Sequence, residues 1–136
     1  MTTSSLIAPL LALIAPFLIW PLELLLPLPF LVEELVKAAV IYIGWPSAPV
    51  RTKLLFAALT GLLFGFSESV LYLFNFLAWG NMAQYFLRLA VTLPLHAFTS
   101  IIILLPGLKY RHLVILGLPP AILIHYLYNR YLQGSL

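Results

Sequence analysis

Long apolar runs, each closed by proline, glycine or charged residues, divide the chain into five pieces. A membrane-spanning helix needs about 20 mainly apolar residues, with a range of about 17 to 25. Because each piece approaches or meets this length, the pattern predicts an all-α, polytopic transmembrane helical bundle of about five spans. The predicted spans cover residues 5–22, 29–45, 53–79, 82–106 and 112–132.

The first two predicted spans differ from ordinary ones. The first is interrupted by prolines but lacks the basic start and cleavage site of a signal peptide, so we expect it to be retained. The second opens after Pro27 and Pro29 and stops at Gly44, which makes it short for a full crossing. Because the loops are only a few residues long, neighbouring helices should pack antiparallel in a single transmembrane domain, residues 1–136.

The composition excludes a soluble domain. Hydrophobic residues make up 63% of the chain and charged residues 8%, with a mean hydropathy of +1.09, whereas soluble domains have about 25% charged residues. The net charge of +3 is too small to indicate nucleic-acid binding. Cysteine and aspartate are absent, which excludes a cysteine nucleophile, a thiolate zinc site and an aspartyl dyad.

The basic residues indicate an orientation. Arg51 and Lys53 flank the second loop, and Lys109 and Arg111 flank the fourth, whereas Gly80-Asn81 in the third carries no charge. Since basic residues favour cytoplasmic loops, loops two and four are predicted to be cytoplasmic in a multi-pass protein of the cell membrane.

Ionisable residues inside the predicted spans are the main functional signal. A charge at the centre of a membrane costs about 2.5 to 3.5 kcal/mol, so these side chains should converge on one polar cavity. Three of them are glutamates, which face only two fixed cations, so one acid must be protonated, share a proton with a histidine or bind a metal. The seven residues are Glu33, Glu34, Lys37, Glu68, Arg88, His96 and His125.

The basic members of this set have separate expectations. Lys37 lies within one helical turn of both glutamates of its span and is predicted to pair with a carboxylate rather than to react. For Arg88, snorkelling to the membrane surface and a role in the cavity are both open. A functional role is favoured for His96 and His125 over simple bonds between helices, because two histidines accompany three glutamates.

Hydrolysis by a glutamate is the intramembrane chemistry that the residues allow. The chain has no H-E-x-x-H zinc motif, and Ser67 lacks the following glycine expected of a membrane serine protease. A carboxylate can take a proton from water, while an imidazole and a carboxamide one turn apart can donate hydrogen bonds to an oxyanion. Glu33 or Glu34 fits the first role, and His125 with Asn129 fits the second.

Four motifs then occur in a characteristic order. Residues 33–37 match E-E-x-x-K, and residues 61–68 match G-x-x-F-G-x-x-E. Arg88 follows, ahead of the run His96-Ala-Phe-Thr, and the last motif is His125-x-x-x-Asn129. Together they resemble the PrsW-type intramembrane proteases, relatives of the CAAX prenyl endopeptidases and of bacteriocin-processing membrane proteases.

The resemblance implies a glutamate-dependent endopeptidase that cleaves a membrane-associated protein or peptide within the lipid bilayer. No cofactor is required, and a divalent metal such as zinc remains open, with Glu34, Glu68, His96 and His125 as its ligands. Ser69 stands where the family often has asparagine, and the chain is shorter than typical members, which leaves a minimal catalytic core, a homo-oligomer or an inactive relative open. The implied catalytic residues are Glu33, Glu34, Glu68, His96, His125 and Asn129, supported by Lys37 and Arg88.

Two other classes of function compete with the protease. A small transporter would use the same glutamates and histidines as a proton or cation relay, and an inactive scaffold would use them only to hold helices together. The paired glutamates and Asn129 one turn after His125 favour hydrolysis, because a relay does not require them.

Overall fold

Five α-helices and one 3-10 segment make up the computed structural model, which describes residues 3–79 and 82–135. This part of the chain contains no strand, so the predicted all-α bundle is confirmed. In chain order the elements are α1 (Thr3–Leu25), α2 (Pro29–Ile43), α3 (Val50–Trp79), α4 (Met82–Gly107), the 3-10 segment (Arg111–Gly117) and α5 (Leu118–Ser135).

Four helical stretches in the described residues are long and apolar enough to cross a membrane, which gives the chain the character of a membrane protein. The second predicted span differs, because α2 has only 15 residues. At about 1.5 Å per residue it is about 22 Å long, shorter than a hydrocarbon core of about 30 Å. The four candidate spans are Ile7–Leu25, Val50–Phe74, Met82–Gly107 and Arg111–Tyr131.

Prolines affect the first and last helices differently. The first helix continues through Pro9, Pro16 and Pro21. The predicted fifth span, residues 112–132, agrees with the candidate span Arg111–Tyr131. Its first part is the 3-10 segment, and α5 begins only at Leu118. Pro119 and Pro120 lack an N–H and therefore suit the first turn of a helix, where no hydrogen bond is lost.

Two glycines on one face of α3 bring α4 close. A Cβ atom on Gly61 would overlap the backbone carbonyl of His96, and one on Gly65 would lie 2.9 Å from Cδ2 of the same histidine. Small residues four apart let membrane helices approach closely. The glycines of the G-x-x-F-G motif therefore determine where the backbone of His96 lies.

Contacts place the second and fourth loops at the same end of the bundle. Arg111 donates hydrogen bonds to the carbonyl of Tyr42 at the end of α2. Trp45 lies against Gly107 at the end of α4, and Nζ of Lys53 lies 5.1 Å from a ring centroid of this tryptophan. The two basic loops therefore share one end, as a common cytoplasmic side requires.

Candidate active site

Charged side chains from four helices meet in one buried group, which we call the polar cluster. It contains three residues of α2, one of α3, one of α4 and one of α5. Each is no more than 7% exposed, so the spans bring their ionisable side chains together rather than turning them to lipid. The members are Glu33, Glu34, Lys37, Glu68, His96 and His125.

Lys37 lies at the centre of the polar cluster, with no exposed surface. Its Nζ lies 2.6 Å from Oε1 of Glu34, 2.8 Å from Oγ1 of Thr99 and 3.2 Å from Nδ1 of His96. An ammonium group has three N–H donors and no acceptor, so these three contacts use its full capacity. The predicted pairing of Lys37 with a glutamate of its own span is confirmed.

The two histidines face each other edge to face, with ring centroids 5.0 Å apart. Nδ1 of His125 lies 2.7 Å from Oε1 of Glu34, and its Nε2 lies 3.7 Å from Oε2 of Glu33. Nε2 of His96 lies 2.7 Å from Oε2 of Glu68, but the pair does not meet hydrogen-bond geometry. Both Nε2 atoms are therefore close to carboxylates without being bonded to them.

Several polar atoms of the cluster are buried without a hydrogen-bond partner among the described residues. They are Oε2 of Glu33, Oε2 of Glu34, Oε2 of Glu68 and Nε2 of His96. Buried polar groups are usually bonded, and an unmet one costs about 1 to 3 kcal/mol. Three of these atoms are carboxylate oxygens that only accept, so the arrangement suits a further species that donates hydrogen bonds, such as water.

Arg88 extends the polar cluster along α4. Its Nη2 lies 3.9 Å from Oε1 of Glu68, and its guanidinium lies 4.0 Å from the ring centroid of Tyr72. The side chain is 19% exposed. Of the two positions left open by the sequence, the structure therefore shows Arg88 at the edge of the polar cluster.

Glu23 is a neighbour that the sequence analysis missed. It lies on α1, half-buried, within electrostatic reach of Glu68 and Glu33. All four acidic residues of the chain therefore gather in one region. The predicted first span ended at residue 22, which excluded Glu23, although it is the only charged residue of α1.

Asn129 lies beside the polar cluster rather than inside it. It lines a pocket of about 240 Å³ between the α1–α2 turn and α5, together with Pro29, Arg130 and Phe30. The ring of Phe30 lies 6.4 Å from that of His125, centroid to centroid. The pocket therefore approaches the cluster past Phe30, and the role of Asn129 as an oxyanion donor remains a prediction.

The donor atoms near the two histidines can be compared with the needs of a divalent metal. Ligand atoms of Glu33, His96 and His125 lie within 4.8 Å of one another. Compared with the four predicted ligands, this set lacks Glu68 and has Glu33 in place of Glu34. Glu34 is engaged by Lys37 and His125.

The environment of His96 does not fit a metal. Binding through Nε2 would leave the ring proton on Nδ1, which would then face the Lys37 ammonium, a second donor, at 3.2 Å. Two donors cannot form a hydrogen bond with each other. We therefore assign no catalytic step to a metal.

Comparisons of this chain with protein-family models, with curated proteins and with solved structures give no match. The likeness to PrsW-type proteases therefore rests on the motifs, and the function must be argued from the polar cluster.

Proposed function

We propose that the chain is a multi-pass protein of the cell membrane that hydrolyses a peptide bond of a membrane-associated protein or peptide. The polar cluster is its active site. The observation that carries the proposal is the buried Oε2 of Glu33, which lacks a partner among the described residues and lies 3.7 Å from Nε2 of His125. The order of the four motifs, which resembles PrsW-type proteases, supports the same chemistry.

The gap between Glu33 and His125 suits a water molecule. A separation of 3.7 Å is too long for a direct hydrogen bond, and a single water can bond to both atoms. The carboxylate of Glu33 then takes a proton from that water. Glu34 is less suited to be the base, because its Oε1 already contacts both Lys37 and His125.

The proposed reaction consumes one water for each bond cut. Glu33 accepts a proton as the water oxygen attacks the carbonyl carbon of the substrate, and the carbonyl oxygen becomes an oxyanion. As the C–N bond breaks, Glu33 passes the same proton to the leaving nitrogen. The products are a new carboxyl group and a new amine, and Glu33 returns to the carboxylate form.

Hydrogen-bond donors near the attacked carbonyl would stabilise the oxyanion. An imidazole N–H of the polar cluster and the carboxamide of Asn129 are the donors we assign to it. Loss of one such donor typically lowers kcat by about 10² to 10³. The pocket beside Phe30, which Asn129 lines, is the place where we propose that an extended peptide segment binds.

A proton or cation relay is a second candidate, favoured by one specific observation. The four glutamates of the region exceed its two fixed cations, Lys37 and Arg88. Such an excess of acids suits transient binding of protons. Proton flux into liposomes containing the chain, measured with an internal pH dye, would support the relay if it occurred without any peptide cleavage.

The protease proposal is tested with the full chain reconstituted in liposomes with a panel of single-span peptides. Mass spectrometry in water enriched in ¹⁸O should find new peptide ends whose carboxyl groups carry the label. Liposomes containing Glu33→Gln provide the matched background. If the wild-type chain generates no ends above this background, across the whole panel, the proposal is wrong.

A further inference from the structure

We infer that the two histidines of the polar cluster are held in opposite neutral tautomers, with an N–H at Nε2 of His96 and a lone pair at Nε2 of His125. Nε2 of His125 lies 3.7 Å from Oε2 of Glu33, and Nε2 of His96 lies 2.7 Å from Oε2 of Glu68. Lys37 and Glu34 impose this arrangement and are positioning residues. The assignment of tautomers rests on the contacts of the two Nδ1 atoms and applies to the neutral rings. Its catalytic consequence rests on the proposed protease function.

Lys37 determines the state of His96. Because an ammonium group only donates, Nδ1 of His96, 3.2 Å from Nζ, must accept. The proton of the neutral ring then lies on Nε2. Thr99 holds Nζ of Lys37 beside His96. Its hydroxyl donates to the carbonyl of His96 at 3.3 Å and accepts from Lys37 at 2.8 Å.

Glu34 determines the tautomer of His125, which is opposite to that of His96. A carboxylate only accepts, so Nδ1 of His125, 2.7 Å from Oε1 of Glu34, must carry the proton. Its Nε2 then presents a lone pair towards Glu33. The same Oε1 also accepts from Lys37 at 2.6 Å, so one ion pair sets both imidazoles.

The opposite tautomers favour water over a divalent metal in the gap between Glu33 and His125. A water molecule in the gap can donate one hydrogen bond to Glu33 and one to His125, and it keeps its lone pairs for attack. A divalent metal would need a lone pair from both imidazoles, and His96 offers none.

The catalytic consequence differs from the sequence-based assignment. His96, rather than His125, is the imidazole that donates to the oxyanion. His125 instead accepts a hydrogen bond from the water and orients it. Glu34 and Lys37 act on the reaction only through the two rings.

Nitrogen NMR of the full chain in lipid bilayers, labelled with ¹⁵N-histidine near neutral pH, tests the tautomers directly. One-bond N–H couplings should show a protonated Nε2 in His96 and a protonated Nδ1 in His125. The chain has only one further histidine, the exposed His112, whose signals are identified by their loss in His112→Asn. Identical tautomers in the two buried rings, or a doubly protonated His125, would overturn the inference.

The variant Lys37→Met tests whether Lys37 sets the tautomer of His96. Lys37→Met removes the donor that faces Nδ1, so His96 should sample both tautomers, because only the Glu68 carboxylate, 2.7 Å from Nε2, then favours the wild-type one. His125 should keep its state. The matched control Lys53→Met, at the basic end of the bundle, should change neither ring. If His96 keeps the wild-type tautomer in a folded Lys37→Met chain, Lys37 does not set it; should that variant fail to fold, the wild-type spectrum alone still decides the tautomers.

Zinc provides an independent readout. Titration of wild-type protein with Zn²⁺ alone should leave the histidine signals of the cluster in place, whereas a folded Lys37→Met chain should gain zinc affinity because Nε2 of His96 becomes available. Coordination of zinc by both rings of the wild-type chain would contradict the inference. None of these measurements needs cleavage, so a chain with the inferred tautomers and no protease activity would refute the proposed function only.

Discussion

A full positive charge lies out of contact with water in this protein, and its three acceptors make that position tolerable. Lys37 is completely buried, and each of its contacts goes to a different side chain, Glu34, Thr99 or His96. Buried charges need both a counter-charge and hydrogen bonds for their remaining donors. Thr99 is a neutral acceptor, and it can be replaced by valine without changing the charge of the site.

Thr99→Val therefore tests whether the acceptors of Lys37 matter for stability. The substitution keeps the shape but leaves one ammonium N–H unmet, and we expect a loss of about 1 to 3 kcal/mol. Thr60→Val is the matched control, because Thr60 is equally buried and bonds only to the carbonyl of Phe56 one turn earlier. Unfolding in mixed micelles with increasing SDS measures both variants. Equal losses would show that the contact with Lys37 has no special weight.

The identity of the base could not be read from the sequence. Glu33 and Glu34 are adjacent on one helix, and either could have faced the histidines. Only the packing of α2 against α4 and α5 shows that Lys37 and His125 engage Glu34, which leaves Oε2 of Glu33 without a partner among the described residues. The set of converging residues could be predicted, because burying each charge separately would be costly, but the division of roles depends on tertiary contacts.

At the scale of helices, α3 and α4 pack together through two glycines that also contact His96 of the polar cluster. Gly61 lies against the backbone of His96, and Gly65 lies against its ring. The two glycines of the motif are therefore a packing signal. The number of helices could be predicted from the lengths of the apolar runs. The bounds of α2 and the 3-10 segment before α5 could not, because they depend on where prolines and loops allow a helix to begin.

Substitution of these glycines should affect stability and chemistry differently. In Gly61→Ala the new methyl group meets the backbone of α4, which cannot yield easily, so we expect a loss of about 1 to 3 kcal/mol from overpacking. In Gly65→Ala the methyl group meets the His96 ring. The cleavage rate should therefore fall, while the free energy of unfolding should change less than in Gly61→Ala. Ala90→Val, on an exposed face of α4, is the control for added volume. Wild-type stability of Gly61→Ala in SDS unfolding would contradict the close contact.

At the scale of the whole molecule, the two ends of the bundle differ in charge. One end carries Arg51, Lys53, Lys109 and Arg111, and the contacts between Arg111 and Tyr42 hold its two loops together. The opposite end holds the pocket beside Phe30, which approaches the polar cluster. If the basic end lies in the cytoplasm, as the basic loops predict, that pocket should open on the other side of the membrane.

Cysteine labelling tests this orientation without interference, because the chain has no cysteine of its own. Ser47→Cys and Tyr110→Cys, both exposed at the basic end, should react from the cytoplasmic side with a reagent that does not cross membranes. Leu26→Cys, in the turn between α1 and α2, should react from the outside. Reaction of Ser47→Cys and Leu26→Cys from the same side would show that the topology is wrong.

The central claim is that Glu33 activates the water, while Glu34 only positions the groups around it. The most direct measurement compares Glu33→Gln with Glu34→Gln in liposomes containing a peptide cleaved by the wild-type chain, with SDS unfolding as the check that both variants fold. Glu33→Gln should lower the rate by about 10² to 10⁴, as loss of a general base does. Glu34→Gln should retain much more activity, because its carboxamide oxygen can still accept from Lys37 and His125. Full cleavage by a folded Glu33→Gln chain would contradict the account.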